Sequence, residues 1–221
     1  MEKEQIQAII SKAKDTSQKR NFKQSFDLII NLKGLDLKKQ ERQIDTFITL
    51  PHTRGKKVKV CALVGPELEE HAKTVCDFVI LSDNFGKYKD KKEIKKIANS
   101  FDFFIAQSNI MPKVATVFGR VFGPRGKMPN PKSGCTVPPN ANLKQLYEKL
   151  QRTIRASAKT VPLIQCPIGT EDMNNNDVAE NALTVYNSLL QLLPNEKHNI
   201  KDMYIKLTMG KPAKLGEKPE L

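Results

Sequence analysis

Residues 118–136, FGRVFGPRGKMPNPKSGCT, hold four Gly, three Pro, two Arg and two Lys in nineteen positions, with no carboxylate. Proline lacks the amide proton and glycine carries the largest backbone entropy cost, so this composition predicts a shaped loop rather than a helix or a central strand. The imbalance extends from 103 to 170, where one acid, Glu148, faces ten Lys and Arg. Cations on backbone of fixed shape attract polyanions, and phosphate-rich RNA suits that field better than a small metabolite does. Arg120, Arg125, Lys127 and Lys132 are the candidate phosphate contacts. The competing reading is a solvated loop whose Gly and Pro fix a turn between helix and sheet.

A second cluster lies near the C-terminus, where Tyr204, Lys206, Thr208, Met209, Gly210 and Lys211 end an alternating stretch. A strand ending in Gly lets another backbone approach closely, Thr208 offers a hydroxyl that donates and accepts, and Met209 supplies a pliable apolar surface. An ordinary strand terminus would read the same way. Near the other end, NFKQSFD at 21–27 opens a strand; Phe22 there could simply staple the first helix to the sheet.

Nothing else in the sequence has catalytic or metal-binding form. Cys61, Cys76, Cys135 and Cys166 are far apart, with no CxxC and no His at zinc-ligand spacing, and are expected to be free buried thiols. His52, His71 and His198 are equally scattered and have no Ser, Cys or carboxylate at a catalytic spacing. These residues offer no candidate active site, cofactor site or metal site.

These clusters need elements to hold them. The 221 residues suffice for one large domain or two small ones, and 39% hydrophobic content with ten Phe predicts a folded chain. A net charge of +13 points to nucleic acid or an anionic membrane surface. No apolar run approaches the roughly 20 residues that span a bilayer. The N-terminus shows no secretory signal, so an intracellular protein is expected.

Residues 3–20 put Ile6, Ile9, Ile10 and Ala13 on one helical stripe. Phe26, Leu28, Ile30 and Leu32 then alternate as a half-buried strand over 25–32, expected to pair with a second strand at about 45–50. After the basic turn PHTRGKK the grammar changes. Strand-like runs at 57–64, 78–81 and 101–106 alternate with helical segments at 67–76, 90–99 and 110–118, which predicts crossover units and a small parallel sheet. Asn142 is a plausible cap for a helix at 143–151. Strands at 153–159 and 163–167, a helix capped by Asn176 or Asp177 running to Leu193 and a last strand at 200–207 complete the chain. Pro, Gly and Lys in the tail at 211–221 predict a mobile end.

The fold expected is mixed α/β (α+β) with two domains. Residues 1–56 and 152–221 form a discontinuous domain around one antiparallel sheet, and 57–151 form an inserted Rossmann-like domain, with the two chain crossings as the hinge.

The order of residues in GRVFGPRGKMPNPKSG resembles the signature segment of the ribosomal L1 family, which builds the mobile stalk of the large ribosomal subunit. The resemblance runs nearly the full length, through LPHTRGK at 50–56 and YIKLTMGKP at 204–212. The form IKLTMGKP in a short chain looks more like the archaeal and eukaryotic branch. The resemblance implies two domains of the construction above, the second Rossmann-like. It also implies that Phe22, Ser25, Asp27, Thr208, Met209 and Gly210 form an rRNA-binding surface, and that the loop 118–136 is a secondary RNA contact. An acid on such a face can accept from a ribose 2′-OH, which DNA lacks. The family more often has a basic residue where Asn21 stands, Thr at Ser25 and Glu at Asp27.

Implied partners are large-subunit rRNA, deacylated tRNA leaving the exit site, and the protein's own messenger, which members bind to repress translation. The implied state off the ribosome is a cytoplasmic monomer with no membrane partner. The alternative is an α/β nucleotide-binding enzyme, against which Gly65-Pro66 after the first middle strand is neither GxGxxG nor a phosphate-loop lysine motif. A DNA regulator is a third reading, and no stretch reads as a recognition helix.

Overall fold

The computed structural model describes residues 3–39, 43–88 and 90–215. The chain divides into two compact units, Met1–Lys56 with Arg152–Leu221, and Lys57–Gln151. The first unit begins with α1 (Lys3–Asp15), β1 (Ser25–Leu32) and β2 (Ile44–Thr49). The second holds β3 (Val60–Val64), α2 (Glu69–Val75), β4 (Phe78–Leu81), α3 (Lys91–Ser100), β5 (Phe103–Gln107), α4 (Met111–Phe122), β6 (Thr136–Val137) and α5 (Leu143–Arg152), whose last residue belongs to the first unit. The chain then completes the first unit with β7 (Thr153–Ala158), β8 (Leu163–Thr170), α6 (Asn175–Leu192), β9 (Ile200–Leu207) and β10 (Ala213–Lys214).

In the first unit a four-stranded antiparallel sheet has the order β10-β9-β1-β8. Alternation along β1 buries Phe26, Leu28, Ile30 and Leu32, which pack with Ile6 and Ile10 of α1 and with Val178, Ala182 and Val185 of α6. Ser25 and Asp27 therefore point to the opposite face. Helix α1 stops at Asp15, short of the predicted 20, because no apolar residue from 14 to 20 continues its stripe.

The predicted β1–β2 pair does not form. Both edges of β1 are taken by β8 and β9, and β2 pairs with β7 in a separate two-stranded ribbon. There Arg155 donates to both oxygens of Asp45 at 2.7 and 2.9 Å and lies over the Phe47 ring at 5.8 Å. The unit therefore holds two sheets where one was expected. Helix α6 is capped by Asn174, not by Asn176 or Asp177: its Oδ1 accepts from Asn176 N at 3.1 Å. The tail expected to be mobile forms β10 over its first part, and residues 216–221 lie outside the described residues.

The second unit is a parallel sheet of order β4-β3-β5-β6. Cys61 and Leu63 of β3 pack with Ile94, Ala98, Val114 and Phe118 of α3 and α4. Val60, Ala62 and Val64 pack with Ala72, Leu143 and Leu150 of α2 and α5. Helices on both faces leave β3 buried on both sides, which is why its sequence is continuously apolar.

Part of the 118–136 segment is regular after all. Helix α4 runs through Gly119 to Phe122 because Phe118, Val121 and Phe122 keep its buried stripe intact, enough to offset the helical cost of one glycine, about 1 kcal/mol. Irregular backbone begins at Gly123, and the segment ends in β6, where Thr136 pairs with Ala106. Asn142 caps α5 through its Oδ1, which accepts from Lys144 N at 3.1 Å.

Candidate nucleic-acid interface

Strand β9 ends against the beginning of β1. Thr208 N donates to Ser25 O at 3.1 Å, and Ser25 N donates to Thr208 Oγ1 at 3.1 Å. Gly210 N donates to Leu207 O at 2.9 Å, closing a turn that leaves Met209 60% exposed. A Cβ on Gly210 would sit 3.3 Å from Leu207 Cβ and from Ser17 Oγ, so Gly lets the turn lie close on the end of α1. Lys206 Nζ donates to Thr208 O at 2.8 Å.

Gln24, a residue the sequence reading passed over, holds this turn from beneath. It is 1% exposed, and its Oε1 accepts from Met209 N at 3.1 Å. Its Nε2 donates to Ser17 Oγ at 3.3 Å and to Gln18 O at 3.4 Å. Its backbone exchanges hydrogen bonds with Glu171, at 3.1 Å to Oε1 and 3.0 Å from Glu171 N. One buried amide thus joins the end of α1, the approach to β1, the end of β8 and the Thr-Met-Gly turn. The only sequence signal was a polar residue just ahead of an alternating strand, and its partner is 185 positions away.

On the sheet face away from α1 and α6, Asp27 stands opposite Lys206 in the β1–β9 register. Burial pushes the Asp27 carboxyl up, against the pull of Lys206, a hydrogen bond from Gln165 and Lys56. The face therefore offers a carboxylate acceptor among cations, and Phe22 stands 50% exposed before the strand. Five of the six predicted contacts are linked: Ser25 to Thr208 directly, Asp27 across the strands, and Met209 and Gly210 through the turn.

The four cations of the 118–136 segment lie in the other unit. Arg120, Arg125 and Lys132 are exposed. Lys127 has a structural task, since its ammonium donates to Ala98 O and Phe101 O at 2.6 Å each and so satisfies carbonyls at the end of α3. Desolvation pushes its pKa down.

Enzymatic readings find little support. Gln107, fully buried at the end of β5, accepts from Gly65 N at 2.6 Å and donates to Glu67 Oε2 at 3.1 Å. It fills the position between the carboxyl ends of β3 and β5 where parallel sheets of this kind take nucleotides, and sets a carboxylate beside it. His52 does have acidic neighbours, Glu180 at 2.7 Å and Asp177 at 3.9 Å. Glu180 also accepts from Lys3 at 2.7 Å, and Lys3 and His52 together hold its carboxyl down to about 2. The cluster ties α1 and the turn after β2 to α6. The four cysteines are free, and burial pushes their thiols up, to about 11 for Cys76 and Cys135 and about 12 for Cys166. Among the described residues no group of three or more His, Cys, Asp or Glu could hold a metal ion, and no helix is long and apolar enough to cross a membrane.

A family profile described as the ribosomal protein L1p/L10e family matches residues 12–211. The large ribosomal subunit protein uL1 of Nanoarchaeum equitans is 44% identical over 205 residues, 91% of this chain and 94% of that protein. The protein of the same name from Methanothermococcus thermolithotrophicus is 40% identical over 216 residues, 97% of this chain and 99% of its own. That of Methanobrevibacter smithii is 41% identical over 211 residues, 94% and 96% of the two chains.

Proposed function

The chain belongs to the ribosomal protein L1p/L10e family, and on that premise we propose that it is a structural constituent of the large ribosomal subunit that binds rRNA through its first unit. It is a ribosomal protein and not an enzyme. The unit of Met1–Lys56 and Arg152–Leu221 is the RNA-binding domain, and Lys57–Gln151 is an inserted Rossmann-like domain.

The observation that carries this reading is the Thr208–Ser25 lock with exposed Met209 above buried Gln24. A turn so fixed presents backbone, a soft apolar side chain and the nearby Asp27 carboxylate in one geometry before any ligand arrives, so ordering costs little on binding. Such a surface selects a folded RNA shape and uses 2′-OH acceptance to prefer RNA over DNA. Phe22, Ser25, Asp27, Thr208, Met209 and Gly210 are its contacts. Arg120, Arg125 and Lys132 form a secondary contact, with Lys127 close by but committed to α3.

Two further roles belong to the same proposal. The protein holds the rRNA of the mobile stalk and helps deacylated tRNA leave the exit site. A surface that recognises an RNA fold also takes a similar fold in the protein's own messenger, repressing its translation.

The test is binding of the purified chain to a stalk-containing rRNA fragment, to an unrelated RNA of equal size and to the DNA version, across a salt series. Selective binding that persists at high salt and weakens in Thr208→Val, with the salt slope unchanged, is the expected result. Equal binding to all three ligands that vanishes with salt would overturn the reading.

A further inference from the structure

Helix α3 carries exposed lysines where intramolecular electrostatics disfavour them. Lys91, Lys92, Lys95 and Lys96 occupy its first and middle turns, and no basic residue lies in its last. Cations near a helix N-terminus meet the positive end of the macrodipole, and the pairs 91/95 and 92/96 repel one another at i,i+4 spacing. Glu93 is the single acid of the helix. Among the described residues none of the four lysines lies within ion-pair distance of a carboxylate.

The neighbouring helix extends the pattern. Helix α4, packed on the same side of the sheet, adds exposed Lys113 and Arg120 and has no acid, so α3 and α4 together carry six bases and one acid. On the opposite side α2 and α5 carry four bases and three acids, with Lys73 paired to Glu69. Helix α3 is also held at both ends: Asp90 caps its start, and Lys127 binds the carbonyls at its end.

We propose that this α3/α4 face of the second unit is a docking surface for the phosphate backbone of double-helical RNA, read by charge and not by sequence. It extends the secondary contact already proposed around Arg120 onto α3 and Lys113, and it does not depend on the strand-end site. None of the exposed large hydrophobic side chains among the described residues belongs to α3 or α4. The face therefore lacks both the aromatic platforms that hold single strands and the apolar anchors that seat a helix in a bilayer.

The experiment compares the full chain with the variant Lys91→Gln, Lys92→Gln, Lys95→Gln, Lys96→Gln, using a short RNA duplex of unrelated sequence, a single strand of equal length and anionic vesicles. Duplex affinity at low salt should fall at least tenfold, and the plot of log K against log salt should flatten by about 0.9 for each phosphate no longer neutralised. The four-fold Lys→Arg variant should bind like the parent. Thermal stability of the Gln variant should hold or rise, because a repulsion has been removed. In parallel, Thr208→Val should leave the duplex slope unchanged, which separates this surface from the strand-end site.

An unchanged slope in the Gln variant would overturn the proposal. So would an equal loss from Lys73→Gln, Lys144→Gln, Lys149→Gln on the opposite face, or a loss confined to vesicles or single strands. A marked fall in melting temperature of the Gln variant would show that the lysines serve the fold instead.

Discussion

Thr208 and Ser25 are joined by a closed set of hydrogen bonds: the Thr208 amide donates to Ser25 O at 3.1 Å, while Thr208 Oγ1 accepts from Ser25 N at 3.1 Å and donates to Ser25 O at 3.3 Å. The threonine hydroxyl thus commits its proton and one of its two lone pairs to Ser25. Its use is to fix the turn that presents Met209, so loss of RNA affinity in Thr208→Val would report misplacement of the turn. One such hydrogen bond contributes about 0.5–1.5 kcal/mol to stability, so the free variant should remain folded.

Gln24→Leu fills the same volume but removes the acceptor for Met209 N and both donors to the end of α1. Stability should fall by about 1–3 kcal/mol, the cost of leaving buried partners unsatisfied. Hydrogen exchange at the Met209 amide should quicken, and affinity for stalk rRNA should drop with no change in salt slope. An unaltered Met209 exchange rate would show that the amide does not hold the turn.

Asp27→Asn separates stability from binding. A raised carboxyl pKa means that burial favours the protonated form: the stabilisation is fully present below the ordinary value of 3.8 and is lost as pH rises through the folded value. At neutral pH the charge is thus a burden on the free protein. The amide variant should melt no lower than the parent while binding RNA more weakly, and its preference for RNA over DNA should shrink. Denaturation and binding at pH 7 check both halves.

Asp45 behaves in the opposite sense. The bidentate hydrogen bonds from Arg155, helped by Lys159, lower its carboxyl from the ordinary 3.8 to about 2. This stabilisation is present above the ordinary value and is lost as pH falls towards about 2. Asp45→Asn should cost about 1–2 kcal/mol at neutral pH, discounted for partial exposure of the pair. Its acid unfolding curve should flatten between pH 4 and 2, measured by circular dichroism in urea at each pH.

Gly55→Ala should be far more damaging than its place in a surface turn suggests. Gly55 has φ +81°, and a Cβ there would lie 2.3 Å from Thr170 Oγ1, a side chain that is 4% exposed. The left-handed conformation alone costs about 1–2 kcal/mol with a side chain. A total loss above about 2 kcal/mol in chemical denaturation is expected.

Much of the fold was legible locally. The alternation Phe26, Leu28, Ile30, Leu32 matches β1 residue for residue, and the stripe of Ile6, Ile9, Ile10 and Ala13 matches the buried face of α1. The run ending at Val64, read as a strand of a small parallel sheet, is β3 of that sheet. The signature order in GRVFGPRGKMPNPKSG and TMGKP identified the family because it is specific at the level of residue order, which composition alone is not.

Helix α4 shows where local rules fell short. Gly119 argued against a helix, yet Phe118, Val121 and Phe122 bury enough apolar surface to carry the helix past it. Local propensity yields when a packed stripe is at stake, since most helical stability comes from tertiary contact.

The sequence by itself determined which residues alternate, which face inward, and that a cationic chain of net charge +13 suits a polyanion. Only the tertiary structure decided the partners: β2 with β7 instead of β1, Gln24 beneath Met209, Lys127 turned onto the carbonyls of α3, and the lysines of α3 on the same side of the sheet as Arg120. The reason is physical. Periodicity fixes the direction of a side chain relative to its own backbone, and any strand of matching period satisfies it equally. The choice among distant partners is made by the packing of the whole unit, in which β1 has already given both its edges to β8 and β9.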